Sequence, residues 1–440
     1  MNKNTIFKKD FTLVAVGQII SIFGNQILRY ALPLYLLNQT GSAALFGTIL
    51  ALSFIPMILF FPIGGIIADR VNKRNIMVVL DFSTASLIFL FYLLAGKMDI
   101  VPLMAITMII LYGIQGAYQP AVKASVPVLV EPAYIMKANS VVDMISSSAS
   151  MAGPVIGGLL FSVFGLTPIL YVSIGCFLAS AVMEMFIYIP FEKKKATGNI
   201  FAAGLGDLKD SFRFLFRKQP VLWKISLIFA SSNVLLSALI LIGLPVIITQ
   251  HLGFVPDTAS RLYGYAQGVI AAGAILGGLL AGVLSNRLKS KWCPVLLIGC
   301  SLFAVISGAA LKMHSAPMEI CIILIICCGL LLTLHTLFQI QMMTYLQLLT
   351  PKDLIGKVVS VFMCVVMCTI PLGQFIYGIV FEHIGNRIYL PFCVAGLIMI
   401  GISVFTRRVF DGIDRQIEEQ ARKWVSEGNG RTNASSMNNL

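Results

Sequence analysis

Long apolar runs separated by short polar loops repeat along the whole chain. Twelve can be marked, at 11–37, 43–67, 75–95, 100–122, 139–163, 168–190, 222–250, 262–285, 294–312, 318–348, 357–381 and 388–408. Each is of the order of the ~20 residues needed to cross a bilayer as a helix. In lipid, a run this long satisfies its backbone N–H and C=O groups only as a helix. The pattern predicts an all-α membrane protein with twelve transmembrane helices in two sets of six. The organisation that follows is a first six-helix bundle at 1–190, a central cytoplasmic loop at 191–221, a second bundle at 222–408 and a cytoplasmic tail at 409–440.

Composition agrees with the pattern. Of 440 residues 58% are hydrophobic and 12% charged, with a mean hydropathy of +0.90; soluble domains carry roughly 25% charged residues. The net charge of +13 invites the thought of nucleic acid, but the bases sit in short loops, not along one soluble face. With the amino terminus placed in the cytoplasm, the inner segments hold 27 Lys and Arg and the outer loops 4, namely Lys97, Arg261, Lys312 and Arg387. That asymmetry predicts a multi-pass protein of the cell membrane with both termini inside. The first apolar run is too long for a signal-peptide core and reads as a retained span. The nine Cys all lie in apolar stretches, where they behave as packing residues, and none has metal-site spacing. The centre carries a helical apolar pattern, Leu208, Phe212, Leu215 and Phe216, suited to lying along the inner membrane face. The tail predicts a short charged helix from Asp411 to Val425 and a disordered polar end. No G-x-x-x-x-G-K-[ST] and no H-E-x-x-H occurs, so neither ATP hydrolysis nor a metal-dependent reaction is expected, and no cofactor.

The two halves repeat. Leu32-Pro33 precedes Gly41 as Leu244-Pro245 precedes Gly253. The run from Gly65 to Arg74 matches that from Gly282 to Lys291 at an offset of 217 residues, and Pro154 matches Pro371 at the same offset. Parallel six-helix repeats imply two bundles that alternate in access around a site near mid-membrane.

Gly64-Gly65-Ile66-Ile67-Ala68-Asp69-Arg70-Val71-Asn72-Lys73-Arg74 resembles the signature loop between spans two and three of the major facilitator superfamily. Gly153-Pro154-Val155-Ile156-Gly157-Gly158 resembles the fifth-span motif of its drug antiporters. Ala31-Leu32-Pro33-Leu34-Tyr35 with Thr40-Gly41-Ser42, and Ala138-Asn139-Ser140, are similar to the macrolide-efflux branch. The resemblance implies a proton-driven exporter of small hydrophobic or amphipathic compounds, a central cavity lined by spans one, four, seven and ten, and a gate at the signature loop. The second loop departs from the first, with Asn286 where the first has Asp69, so an acidic gate is not implied in the second half.

Asp69, Arg70, Lys73 and Arg74 place an acid and three bases at a seam between bundles, where pairs made in one state bias a two-state equilibrium; alternatively the bases only hold the loop inside. Asp81 lies on the same face of span three as Arg74 and needs a partner in the membrane, Arg74 or Lys123. Asp143 can pair with Lys123. These acids read as structural or gating.

Span one carries Gln18, Ser21, Asn25 and Arg29 on one face, and span four carries Tyr112, Gln115, Gln119 and Lys123 at the same spacing. Polar stripes in a membrane face protein or water, so they line the substrate cavity or hydrogen-bond neighbouring helices. Asn233, Thr336 and Gln339 extend the candidate cavity into spans seven and ten. Glu184, a lone carboxyl in span six, and His335, which titrates near neutral pH when unperturbed, are the proton-coupling candidates; both also suit plain structural hydrogen bonds. Gly153, Gly157, Gly273 and Gly277 provide the small-residue spacing that lets helices approach, and Pro154 bends its helix. Two rival readings remain: an importer of a small polar or anionic nutrient, suggested by Arg29, and a non-transporting membrane sensor. The partners expected are a small-molecule substrate, the lipid bilayer and protons, and no nucleic acid.

Overall fold

The computed structural model of the chain describes residues 9–131, 135–189, 220–284, 289–313, 316–350 and 355–410. The expected central amphipathic segment and the tail helix lie outside them. Twelve helices long and apolar enough to span a membrane account for almost all the described chain. They are α1 (Lys9–Thr40), α2 (Ala43–Arg70), α3 (Lys73–Leu94), α4 (Ile100–Leu129), α5 (Ile135–Phe164), α6 (Leu166–Met185), α7 (220–251), α8 (Pro256–Leu284), α9 (Trp292–Lys312), α10 (Pro317–Leu349), α11 (Ile355–His383) and α12 (Leu390–Phe410). The side on which α1 begins and α12 ends is called terminal below, and the opposite side distal.

The distal connections are made by short loops. Gly41 and Gly253 close α1 and α7 at φ of 64° and 71°, a left-handed conformation that a residue with a Cβ rarely adopts. These are the two glycines matched in the repeat. After Gly41 the chain re-enters a helix at once, with the Ser42 hydroxyl accepting the Leu45 N–H as an N-cap. On the terminal side Asn72 caps α3 by accepting the Arg74 N–H.

α7 is not a regular helix, for π turns at Asn233–Ser237 and Ile247–His251 interrupt it. Such insertions collect at functional sites.

Helices α1 to α6 pack together, as do α7 to α12. The two bundles meet along two seams, α2 with α11 and α5 with α8. Both seams are tightest in their distal halves. A methyl group placed on Gly47 would lie 2.7 Å from Gly378 Cα, and one on Gly158 would lie 2.8 Å from Gly264 Cα. These helices touch backbone to backbone, an approach open only to the smallest residues. Four hydrogen bonds between described residues tie the bundles together, all in the distal half. The Tyr30 hydroxyl donates to the Ser260 carbonyl at 2.7 Å, and Arg261 Nε donates to Ser162 Oγ at 3.0 Å. Glu382 receives both the Ser42 hydroxyl and the Ala44 N–H at 3.0 Å, capping α2 from the other bundle.

The span-five and span-eight glycines lie at close helix contacts. Gly153 and Gly157 seat α5 against Gln26, Ile27 and Tyr30 of α1, with Pro154 between them. Gly273 and Gly277 seat α8 against Gly329, Thr333 and Thr336 of α10. Thr336 is thereby a helix-packing residue.

Candidate functional site

Beneath the distal belt the bundles part around a cavity of about 370 Å³. α1 supplies Gln26, Arg29 and Tyr30. Phe54 comes from α2, Tyr112 from α4, Ser150 from α5, Leu241 from α7, Tyr263 and Gln267 from α8 and Gln374 from α11. Both halves therefore contribute walls. The distal end is closed by Tyr30 and Tyr263, whose rings stack across the bundle boundary with centroids 5.0 Å apart. Gln267 Nε2 donates to the Tyr263 hydroxyl at 2.7 Å, and Gln26 Nε2 donates to Ser150 Oγ at 2.6 Å.

Arg29 is the cavity's charged lining residue. Its guanidinium lies 4.5 Å from the Tyr112 ring centre and 5.9 Å from that of Phe54, and Nη1 donates to Gln115 Oε1 at 3.2 Å. Cation–π contacts of this kind are worth about 0.5–2 kcal/mol, more when water is excluded. They hold the side chain flat against aromatic surface with N–H groups still to offer.

The remaining polar residues of span one point elsewhere. Gln18, Ser21 and Asn25 are buried, on the side of α1 that packs inside the first bundle. Ser21 Oγ donates to Asp81 Oδ1 at 3.1 Å. Gln18 Nε2 donates to the Tyr118 hydroxyl at 2.7 Å, and that hydroxyl donates to Glu184 Oε1, also at 2.7 Å. Ser21, Asn25, Asp81, Gln115, Tyr118 and Gln119 share a second, much smaller cavity of about 20 Å³, room for one water. Of the eight residues in the two stripes, Arg29 and Tyr112 line the large cavity, Ser21, Asn25, Gln115 and Gln119 line the small one, and Gln18 and Lys123 line neither.

The base expected beside Asp81 is a correction. Arg74 Nη1 instead reaches the Ile187 carbonyl at 3.5 Å. Lys123 pairs with Asp143 at 3.6 Å, with both side chains well exposed. Arg74 is one helical turn too near the membrane surface, and the end of α6 offers it a carbonyl there, so Asp81 is met by α1 instead. Asp69 and Arg70 close α2, but their side chains lie outside the described residues; Lys73 opens α3.

In the second bundle, His335 is fully partnered. Its Nε2 lies 3.1 Å from Ser232 Oγ and its Nδ1 3.4 Å from Ser237 Oγ, so the ring bridges α10 to the first π turn of α7. Gln339 Nε2 donates to Asn233 Oδ1 at 3.2 Å beside it. These contacts join α7 to α10 inside one bundle, and none of the five residues lines the large cavity.

Sequence reasoning passed over Tyr118, although it sits three residues after Gln115 and one before Gln119. It also passed over Tyr30 and Tyr263, since an aromatic ring in an apolar span carries no pattern that separates cavity from lipid.

Relatives of known name match most of the chain. The chain is 24% identical over 422 residues to macrolide efflux protein A of Streptococcus pyogenes, covering 92% of this chain and 96% of that protein. It is 22% identical over 405 residues to the multidrug efflux pump Tap of Mycolicibacterium fortuitum, covering 90% and 95%. Among solved structures, a variant of the nucleoside transporter NupG superposes with a TM-score of 0.69 at 13% identity, covering 92% of this chain and 99% of that one. A bacterial homologue of the iron transporter ferroportin in its inward-facing state gives 0.67 at 16% identity, covering 91% and 98%. The model of the Major Facilitator Superfamily matches residues 14–373, and the chain belongs to that family of membrane transporters.

Proposed function

We propose that this transporter exports small hydrophobic or amphipathic compounds, of the drug or macrolide kind, in exchange for protons, with both termini in the cytoplasm. The observation that carries the reading is the cavity of about 370 Å³ between the bundles. Its walls are mostly aromatic and aliphatic, with polar groups at a few points, the usual make-up of a site for a small amphiphile. The distal belt seals it from that side, so a solute arrives from the terminal side. Lys and Arg crowd the terminal loops, which supports placing that side in the cytoplasm. In the opposite state the belt opens and Asp69, Arg70 and Arg74 latch the terminal side. The names of the efflux relatives support the direction and the substrate class.

The test is accumulation. Cells producing the protein should hold less of a fluorescent hydrophobic amine or a macrolide than control cells, and a protonophore should erase the difference. Equal accumulation with and without the protein would end the reading. One observation favours a second reading, import of a small anion: Arg29 is charged and no carboxylate lines the cavity among the described residues. Raised uptake of a labelled organic anion would select it.

A further inference from the structure

We infer that Asp81 and Glu184, linked to α1 through Ser21 and to each other's surroundings through Tyr118, form the proton-carrying site of this transporter, behind the solute cavity and not in it. The inference rests on the proton-exchange reading above and names where the proton is held.

The cluster is short of donors. Both carboxyl side chains are buried in the terminal half of the first bundle, close enough to interact electrically. One oxygen of each is satisfied, Asp81 Oδ1 by Ser21 and Glu184 Oε1 by Tyr118. The other oxygen of each, Asp81 Oδ2 and Glu184 Oε2, is buried with no hydrogen-bond partner, and so is Gln18 Oε1 beside them. With Asn25 Oδ1, four buried acceptors of this cluster have no donor. A proton on a carboxyl oxygen turns that oxygen into a donor, which is the group the cluster lacks.

Among the described residues, no balancing cation stands beside the two acids. From α1 the cluster meets Gln18, Ser21 and Asn25. α3 adds Thr84 and α4 adds Gln115, Tyr118 and Gln119. α6 adds Ser180, whose hydroxyl donates to the Gly17 carbonyl. None is a base. The described bases nearby are engaged elsewhere, Arg74 with Ile187, Lys123 with Asp143 and Arg29 with Gln115. Two carboxylates buried together without a cation do not both stay ionised. Protons or a small metal cation restore neutrality, and the water-sized cavity at Asp81 is a port for either.

Gln115 holds Arg29 in the solute cavity and lines the small cavity with Asp81 and Tyr118. When the proton leaves a carboxyl oxygen for the water in that port, the negative charge left behind pulls on Arg29 through one amide. Protonation state and the solute-facing cation are thus coupled over two contacts.

The experiment is infrared difference spectroscopy of the purified, detergent-solubilised full chain during a pH titration in potassium buffer. A protonated-carboxyl C=O band should persist at neutral pH, shrink in Asp81→Asn and in Glu184→Gln, and vanish in the double variant. Melting temperatures guard against misfolding, and Tyr118→Phe, which leaves both acids in place, should shift the band without removing it. In proteoliposomes both amide variants should lose pH-gradient-driven transport of a macrolide and keep its gradient-free exchange. A band unchanged in both variants would overturn the site. A band absent from the parent and the variants, or one erased by added sodium, would also overturn it, the latter in favour of a metal cation. Loss of protonophore-sensitive export in the parent would instead sink the export reading while the band still reports on the acids.

Discussion

The two halves of the molecule share a fold and differ in the chemistry of their polar cores. At the register of 217 residues that aligns the signature loops, Tyr118 corresponds to His335 and Asp81 to Ile298. Tyr118 stands between Gln18 and Glu184, in a cluster with buried oxygens left unpartnered. His335 stands between two serines, with both ring nitrogens engaged. One core is satisfied as it stands, while the other is complete only with a further proton or ion. A duplicated fold has kept its helix packing in both copies and concentrated its buried acids in the first. The distal belt shows the opposite economy, drawing glycines equally from each half, Gly47 and Gly158 against Gly378 and Gly264.

The sharpest way to break that contrast is to make both cores apolar. Glu184→Leu should lower proton-driven export by at least about 100-fold, an effect of ~2.7 kcal/mol on the driven step. The melting temperature should change little, because losing the buried acid relieves a desolvation cost while leaving the Tyr118 hydroxyl without its acceptor. His335→Leu should do the reverse. It leaves the Ser237 hydroxyl without its partner, while Ser232 keeps its bond to the Phe229 carbonyl, at a cost of about 1–3 kcal/mol that lowers the melting temperature, while export falls less than about threefold, within ~0.7 kcal/mol. Equal losses of export in the two variants would erase the asymmetry.

A smaller effect is expected at the belt, where the halves are equivalent. Gly47→Val and Gly378→Val place side chains against backbone at the same contact. Each should shift the balance of states away from distal closure by about tenfold, or ~1.4 kcal/mol. Cysteine labelling at distal positions should therefore quicken in both. If one glycine tolerates valine and its partner does not, the belt is not shared evenly.

Arg29→Gln is expected to weaken solute binding by about tenfold, comparable to one cation–π contact plus a hydrogen bond. The binding of a fluorescent amphiphile reads this directly. A neutral amide still bonds Gln115, so the first core should keep its carboxyl infrared band; loss of that band would mean that Arg29, and not a proton, balances the acids.

Much of this was legible in the sequence because lipid leaves little choice. A run of apolar residues long enough to span must be a helix, and twelve runs with repeated loops fix the fold class. Gly41 and Gly253 were visible as a matched pair, and both turn the chain at positive φ. The polar stripes on spans one and four were visible too, since polar groups in a span must meet protein. Helical spacing does not say which neighbour they meet. Gln18 and Arg29 share a face of α1 by period, yet a helix of 32 residues passes from the core of one bundle to the boundary between two. Asp81 shows the same limit. Its own helix offered Arg74, but α1 crosses closer and supplies Ser21. Nothing local marked Tyr118, Tyr30 or Tyr263, whose roles are set by which helices the topology brings together. The π turns of α7 also escaped, since they answer to tertiary contacts such as His335 with Ser232 and Ser237.

The smallest effect is expected at the Lys123–Asp143 pair, which reads from the sequence as structural or gating. Lys123 and Asp143 lie 3.6 Å apart with side chains 59% and 66% exposed, and exposed pairs contribute only about 0–1 kcal/mol. More tellingly, α4 and α5 belong to the same bundle, so a rocking motion between bundles neither makes nor breaks the contact. The bond from Ser42 to Glu382 spans the boundary and would break when the distal side opens. Lys123→Ala should therefore alter export less than about twofold, within ~0.4 kcal/mol, and the charge-reversed double variant Lys123→Asp with Asp143→Lys should match the parent. A loss of more than about tenfold from Lys123→Ala, restored in the double variant, would mean that the first bundle itself flexes during transport. The contrast between a rigid repeat and a chemically active core would then have to be redrawn inside one half.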